Sequence, residues 1–174
     1  MTDFECRQAL QQSTVGRLAC AHDNQPYVVP IYFAFDGQQV YAFTTVGQKI
    51  EWMRTNPRVC LEIDERDTHD QWKSVIVFGR YKELPDLPQY EAARMRAHEL
   101  LQKQAMWWEP AYVGAGHRDF PHSEDPIFYC IQVDKMSGHR ATPDFAESTV
   151  RGGAETKARD GWWAEILRHL GLKP

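Results

Sequence analysis

Residues 27–45 read YVVPIYFAFDGQQVYAFTT, two aromatic and β-branched runs separated by Asp36-Gly37. Such residues suit a pleated sheet, and Asp-Gly is a strong tight-turn signal. Strands joined by so short a connection pair antiparallel. The rest of the chain repeats the pattern. VGRLACAH places Leu18 and Cys20 on one face and Arg17, Ala19 and Ala21 on the other, and the turn cluster Asp23-Asn24-Gln25-Pro26 follows. RVCLEID alternates with Val59, Leu61 and Ile63 on one side. WKSVIVFGRYKEL is a long strand with a bend expected at Gly79. IFYCIQVDKMSG closes the series with Ile127, Tyr129, Ile131 and Val133 on one face.

Helical spacing is rarer. Thr2–Gln12 reads as a short amphipathic helix with Phe4 and Leu10 as its apolar contacts. Gly47–Asn56 carries Ile50 and Met53 and is stopped by Pro57. Gln89–Trp108 is the principal helix, with Tyr90, Ala93, Ala97, Leu100, Leu101 and Met106 near a 3.6-residue period. A last helix is expected near Asp160–Leu170, bearing Trp162 and Trp163. From the first strand onward the order to the closing strand is β-β-β-α-β-β-α-β. Short connections and the cost of exposed edges favour closure into a barrel. The expected fold is therefore α+β and mainly β, a six-stranded antiparallel barrel with flanking helices.

The chain has 174 residues, enough for one domain with a proper core. A net charge of -4 argues against a nucleic-acid binder. The four cysteines form no CxxC pair, so buried or half-buried free thiols are expected rather than a zinc ribbon. The polar start MTDFECRQAL does not resemble a secretory leader, and no apolar run approaches the ~20 residues of a membrane span. A cytoplasmic protein is the expectation.

Three stretches carry possible chemistry. Thr44, Thr45, Gly47, Gln48 and Lys49 bring hydroxyls, backbone amides and a cation to the start of a helix, the groups that hold a phosphate. A lysine in a first helical turn opposes the helix dipole unless an anion accompanies it. The same residues also read as a plain strand-to-helix loop, and no Walker pattern is present. Lys73 and Ser74 open a strand that also contains Val75, and the beginning of that strand could meet a ligand. Pro30 lies within a strand run, where it marks an edge, a bulge or a backbone facing a ligand. His117, Asp119, His122, Glu124 and Asp125 match no standard zinc spacing, so a solvated loop and no metal site are expected. No Gly-x-Ser-x-Gly elbow and no nucleophile triad is readable, and no catalytic residue is assigned. The Trp107-Trp108 and Trp162-Trp163 pairs read as packing or subunit-contact residues.

The ordered pieces PIYFA, DGxxVY, TxxGxK, NPRV and WxSVxVxG, between Gly16 and Leu84, resemble the pyridoxamine 5'-phosphate oxidase-like, FMN-binding split β-barrel family. The resemblance is greatest to the branch that includes the 5-nitroimidazole resistance proteins. It implies a homodimer with two FMN molecules at the subunit interface. By that resemblance the FMN phosphate lies by Gln48 and Lys49, with Thr45 and Thr44 adding donors. The flavin ring lies against Pro30, Ile31 and Tyr32 with Phe43 nearby, and Lys73, Ser74 and Val75 contact its polar edge. It further implies an oxidoreductase that passes electrons from a nicotinamide donor to a small electron-poor substrate. The alternative within the same fold is a non-catalytic flavin- or haem-binding protein; some relatives use a deazaflavin. The closing strand runs into SGHRATPDF without the Trp…Arg-Leu motif of pyridoxamine-phosphate oxidases, which argues against vitamin B6 oxidation. His22 and His69 are the candidates for the histidine that the nitroimidazole branch holds near its flavin. The expected division is residues 1–139 as the barrel domain and 140–174 as an extension packing on the barrel or the partner subunit.

Overall fold

The computed structural model describes residues 1–103 and 126–142. Helix α1 (Asp3–Gln12) opens with a capping box in which the Thr2 hydroxyl accepts from the Glu5 amide and Glu5 accepts from the Thr2 amide. Its buried face is Cys6, Ala9 and Leu10. Phe4, expected to pack, is instead 74% exposed, because the i, i+3, i+4 stripe starting at Cys6 takes the inward side.

Seven strands follow: β1 (Val15–His22), β2 (Gln25–Tyr32), β3 (Ala34–Phe35), β4 (Gln39–Thr44), β5 (Arg58–Arg66), β6 (Trp72–Glu83) and β7 (Ile127–Ala141). Helix α2 (Gln48–Thr55) joins β4 to β5. A single 3-10 turn (Pro88–Tyr90) and helix α3 (Glu91–Gln102) follow β6. The expected continuation of that helix to Trp108, both Trp pairs, the His117–Asp125 group and the terminal helix lie outside the described residues.

The strands form one antiparallel sheet in the order β2-β1-β5-β6-β7-β4-β3. The count of six is corrected to seven. The run Tyr27–Phe35 does not stay on one partner: it pairs with β1 up to Tyr32, breaks at Phe33, and pairs with β4 from Ala34. Phe33 is fully buried, and its amide donates to the Thr14 carbonyl at 3.0 Å. This break has a topological consequence. β2 and β3 are the two outer strands of the sheet, yet one residue separates them. The sheet must therefore curl until its two edges meet at Phe33.

The curl encloses the main core. Leu18, Ile31, Val40, Leu61, Val75, Val77, Tyr129 and Ile131 point inward, and Ile50 and Met53 of α2 and Leu10 of α1 fill the openings. A second cluster lies on the opposite side of the strands, where Ala97 and Leu101 of α3 cover Tyr32, Ala34, Tyr41 and Cys130. The two clusters thus take alternate residues of β4 and β7, as the two-residue period of a strand dictates.

The bend expected at Gly79 is real, and the irregularity is shared with the neighbouring strand. Phe78 pairs with Lys135 and Gly79 with Val133, so Asp134 of β7 is the extra residue of a bulge. A Cβ on Gly79 would stand 2.5 Å from the Gln132 carbonyl oxygen and 2.7 Å from Ile131 Cγ2. The bulge reverses inside and outside along β7. Beyond it Met136 packs on the barrel interior, and Gly138 is buried beside Cys6.

Candidate functional site

The starts of α1 and α2 behave differently, and α3, led in by the 3-10 turn, also has no side-chain cap. α1 is closed by its own capping box. α2 begins at Gly47, which has no side chain to cap it. The Ile50 and Glu51 amides both bond back to the Gly47 carbonyl at 2.9 and 3.1 Å, so the amides of Gln48 and Lys49 precede the first intrahelical bonds. No heavy atom lies within 4 Å of the position a Gly47 Cβ would take. An uncapped helix end beside open space has the positive pole and free donors that suit an anion.

Lys49 stands in that first turn. Its side chain is half-buried, and burial holds its ammonium below the ordinary 10.5 of lysine. Among the described residues, the ionisable group that acts on it is Cys20, on the inward face of β1. Among the described residues no carboxylate pairs with it. Lys73 differs: its ammonium lies 2.9 Å from Glu65, its neighbour across the β5–β6 pair. Of the two predicted lysines, Lys49 is therefore the one whose charge is uncompensated.

The remaining predicted residues fall into three places. Thr44, Thr45 and Gln48 adjoin Lys49, at the end of β4, in the following loop and at the start of α2. Tyr32 and Phe43 share the cluster beneath α3, so the structure brings the end of β2 beside the β4–α2 loop. Phe43 lies against Phe128 with ring centroids 5.7 Å apart and, with Leu101 and His98, lines an apolar slot of about 190 Å³. Pro30 is exposed on the outer face of β2, an outermost strand of the sheet, where its missing amide costs no ladder bond.

Ser74 lies three strands from Pro30 on that same outer face. Pro30 pairs with Arg17 and Arg17 with Glu62, and the Ser74 hydroxyl donates to Glu62 at 3.2 Å. Arg17 donates to Glu62 at 3.0 Å and also to Asp64. Ile31 and Val75 do not join this face. Both side chains are buried in the barrel interior, so only their backbones are available to a ligand. Lys73, Ser74 and His69 line an open cleft of about 330 Å³ at the β5–β6 turn. His22 is elsewhere, its ring tilted against Trp52 of α2 with centroids 5.8 Å apart and bonded to the Thr55 hydroxyl at 3.1 Å.

Sequence reasoning missed the Arg17–Glu62–Ser74 chain. Its members come from three strands, and Arg17 and Glu62 are 45 positions apart, so nothing local signals the contact. It also missed that Gly47 leaves α2 uncapped. The pattern Thr-Val-Gly before Gln48, with no Ser, Thr, Asp or Asn at the cap, could have shown it.

Comparison with known proteins gives the same architecture. The profile of the pyridoxamine 5'-phosphate oxidase family matches residues 2–140. An uncharacterised protein of Rhizobium meliloti is 42% identical over 141 residues, covering 81% of this chain and 93% of its own. A solved structure from Mesorhizobium loti, named as an FAD-binding protein, is 44% identical with a TM-score of 0.68, covering 82% of this chain and 96% of its own. Likeness of fold alone extends to a candidate 5-nitroimidazole antibiotic resistance protein of Bacteroides thetaiotaomicron, with 18% identity, a TM-score of 0.57, and coverage of 79% of this chain and 84% of its own. The profile match runs from the capping residue of α1 to the penultimate residue of β7, spanning the described fold, and the chain belongs to the pyridoxamine 5'-phosphate oxidase family.

Proposed function

We propose that this chain is a homodimeric flavoprotein that binds FMN and acts as an oxidoreductase on small electron-poor substrates, with a nicotinamide electron donor. The observation that carries the reading is Lys49, a half-buried cation in the first turn of an uncapped helix, with no carboxylate partner among the described residues. A phosphate dianion relieves both conflicts at once. It supplies the counter-charge for the ammonium, and it accepts from the free amides of Gln48 and Lys49. Thr44 and Thr45 add hydroxyl donors from the preceding loop. In this reading Pro30, Ile31, Tyr32 and Phe43 bound the ring, the buried Ile31 through its backbone alone. Ser74 from the outer face of β6, the Val75 backbone, and Lys73 from the inward side at the start of the same strand reach its polar edge.

When bound, the flavin supplies the electron-transfer chemistry. The chain's residues bind the phosphate, orient the ring and limit its contact with water. The apolar slot beside Phe43, at about 190 Å³, is smaller than the ~300–1,000 Å³ of a pocket that encloses a ligand of this size. In the homodimer reading a second copy supplies the other wall.

FAD is the second reading, favoured by the name of the Mesorhizobium loti relative. The same cradle suits either nucleotide, because both carry a phosphate on the ribityl chain. Incubation with FMN or FAD, removal of unbound ligand and an absorption spectrum test the reading. A two-band yellow spectrum is expected, and chromatography of the released cofactor separates FMN from FAD. A protein that stays colourless with both contradicts flavin binding, and a Soret band in purified protein points to haem. Consumption of NADH with a nitroaromatic acceptor separates an enzyme from a binding protein.

A further inference from the structure

We propose that Arg54 and Glu83 are positioning residues of the phosphate cradle: the forked ion pair between them fixes the angle at which α2 points Gln48 and Lys49 at an anion. The inference rests on the phosphate reading of Lys49 given above and adds the residues that hold that site in place. The need for them comes from α2 itself. It has eight residues, too few to be stable alone, so its direction is set by what it touches. Its first turn is not fixed by a cap, and no heavy atom lies within 4 Å of the position a Gly47 Cβ would take. Ile50 and Met53 bury one face in the barrel. Apolar burial sets the depth of a helix but is non-directional, so it leaves the helix free to rock.

Among the described residues, the directional bonds from α2 to the sheet all come from its last turn or just beyond. On one side the Thr55 hydroxyl meets His22 at 3.1 Å, and Asn56 Nδ2 donates to the Ala21 carbonyl at 2.9 Å. On the other side Arg54 donates from Nε and Nη2 to the two carboxylate oxygens of Glu83, both at 2.8 Å. Such a fork fixes an orientation as well as a distance. Glu83, the last residue of β6, is itself held. The hydroxyl of the buried Tyr81 donates to its Oε2 at 2.9 Å, and the Tyr81 ring lies against Tyr129 with centroids 5.3 Å apart. The Tyr81 amide donates to the carbonyl of Pro57, just past the helix, at 2.8 Å. The end of β6 thus grips α2 through side chain and backbone together. Hydrogen bonds from Arg54 hold the Glu83 carboxyl below its ordinary 4.5, so the fork is intact at neutral pH. At ~1.5 Å per residue, a tilt of ~10° about the last turn moves the first-turn amides by roughly 1–2 Å, beyond the ~0.5 Å tolerance of a preorganised site.

The test compares FMN with riboflavin, which has the same ring and ribityl chain but no phosphate, by titration into flavin-free protein whose folding is verified by circular dichroism. Wild type is expected to prefer FMN. Arg54→Gln and, separately, Glu83→Gln should narrow that preference by about 5-fold or more, with riboflavin affinity nearly unchanged. Glu83→Gln is the sharper variant. On charge alone, loss of a carboxylate strengthens phosphate binding, whereas loss of the fork weakens it. Arg54→Lys keeps the charge without the fork and should fall between wild type and Arg54→Gln. Arg80→Gln removes a cation from the same strand, where it pairs with Asp134 rather than with α2, and should leave the preference as in wild type. Should Glu83→Gln fail to fold, the Arg54 variants decide against Arg80→Gln, because the Arg54 side chain is 46% exposed and its replacement is tolerated by the core. Folded variants that keep the wild-type preference overturn the proposal, and so does a wider preference in Glu83→Gln. Equal loss of affinity for both ligands also overturns it, since that marks a general structural role. A wild type that binds riboflavin as tightly as FMN sinks the phosphate reading itself, and the positioning role with it.

Discussion

Lys49 is retained at a cost to the ligand-free fold. Its pKa in the folded chain is depressed by burial, so the unfolded chain holds the proton more tightly. Ligand-free stability therefore rises as pH climbs from the depressed folded value towards the ordinary 10.5. At neutral pH, Lys49→Met removes the penalty and keeps the aliphatic stem. It should raise the melting temperature of flavin-free protein by roughly 2–4 °C, the shift that ~1 kcal/mol makes in a chain of this size. A lowered melting temperature in calorimetry would show that the ammonium is well accommodated without a ligand. The same residue sets a pH dependence. Flavin affinity should rise as the phosphate gains its second charge near pH ~6. It should fall again as pH passes the depressed Lys49 value, and Lys49→Ala should abolish only the alkaline fall. Tyr129 is a contrasting case. Its hydroxyl is fully buried without a hydrogen-bond partner among the described residues, and burial raises its pKa. Tyr129→Phe should be neutral or stabilising by up to ~1 kcal/mol in a denaturant titration. A loss above that size would mean the hydroxyl does have a partner.

At the scale of elements, the sheet depends on a close approach at one glycine. Gly79→Ala should destabilise by about 1–3 kcal/mol, because the added methyl meets the β7 backbone rather than a side chain that can turn away. Equal midpoints for the two proteins in urea would contradict the observed bulge. Local pattern made most strands legible. Val59, Leu61 and Ile63 alternate as expected, and Ile50 and Met53 face inward as the helical spacing predicts. What pattern could not show is partner exchange. Tyr27–Phe35 is continuous in composition, and only tertiary contacts break it at Phe33. The Asp134 bulge was equally hidden. An alternation read from Ile127 to Val133 gives no sign that Met136 and Gly138 will take the inward side. For the candidate site, the Thr44–Lys49 stretch was legible because its residues are contiguous. The inward turn of Ile31 and Val75 follows from a two-residue period already visible in the sequence, which leaves Pro30 and Ser74 outward.

For the whole molecule, one curled sheet divides the labour. Its interior holds the fold together, and the joint between its two ends brings Tyr32 into one cluster with Phe43, near the end of β4 that leads into α2. Its outer face presents the paired charges of Arg17, Glu62 and Asp64 within an apolar surround. A flavin phosphate held by Lys49 would make FMN affinity depend on that ammonium. Fluorescence titration of FMN into flavin-free wild type and Lys49→Ala tests it most directly. Saturable quenching is expected for wild type and affinity weakened by on the order of 1–3 kcal/mol, or about 5- to 150-fold, for the variant, the worth of a charge-assisted hydrogen bond. Equal affinity for FMN in the two proteins would contradict it.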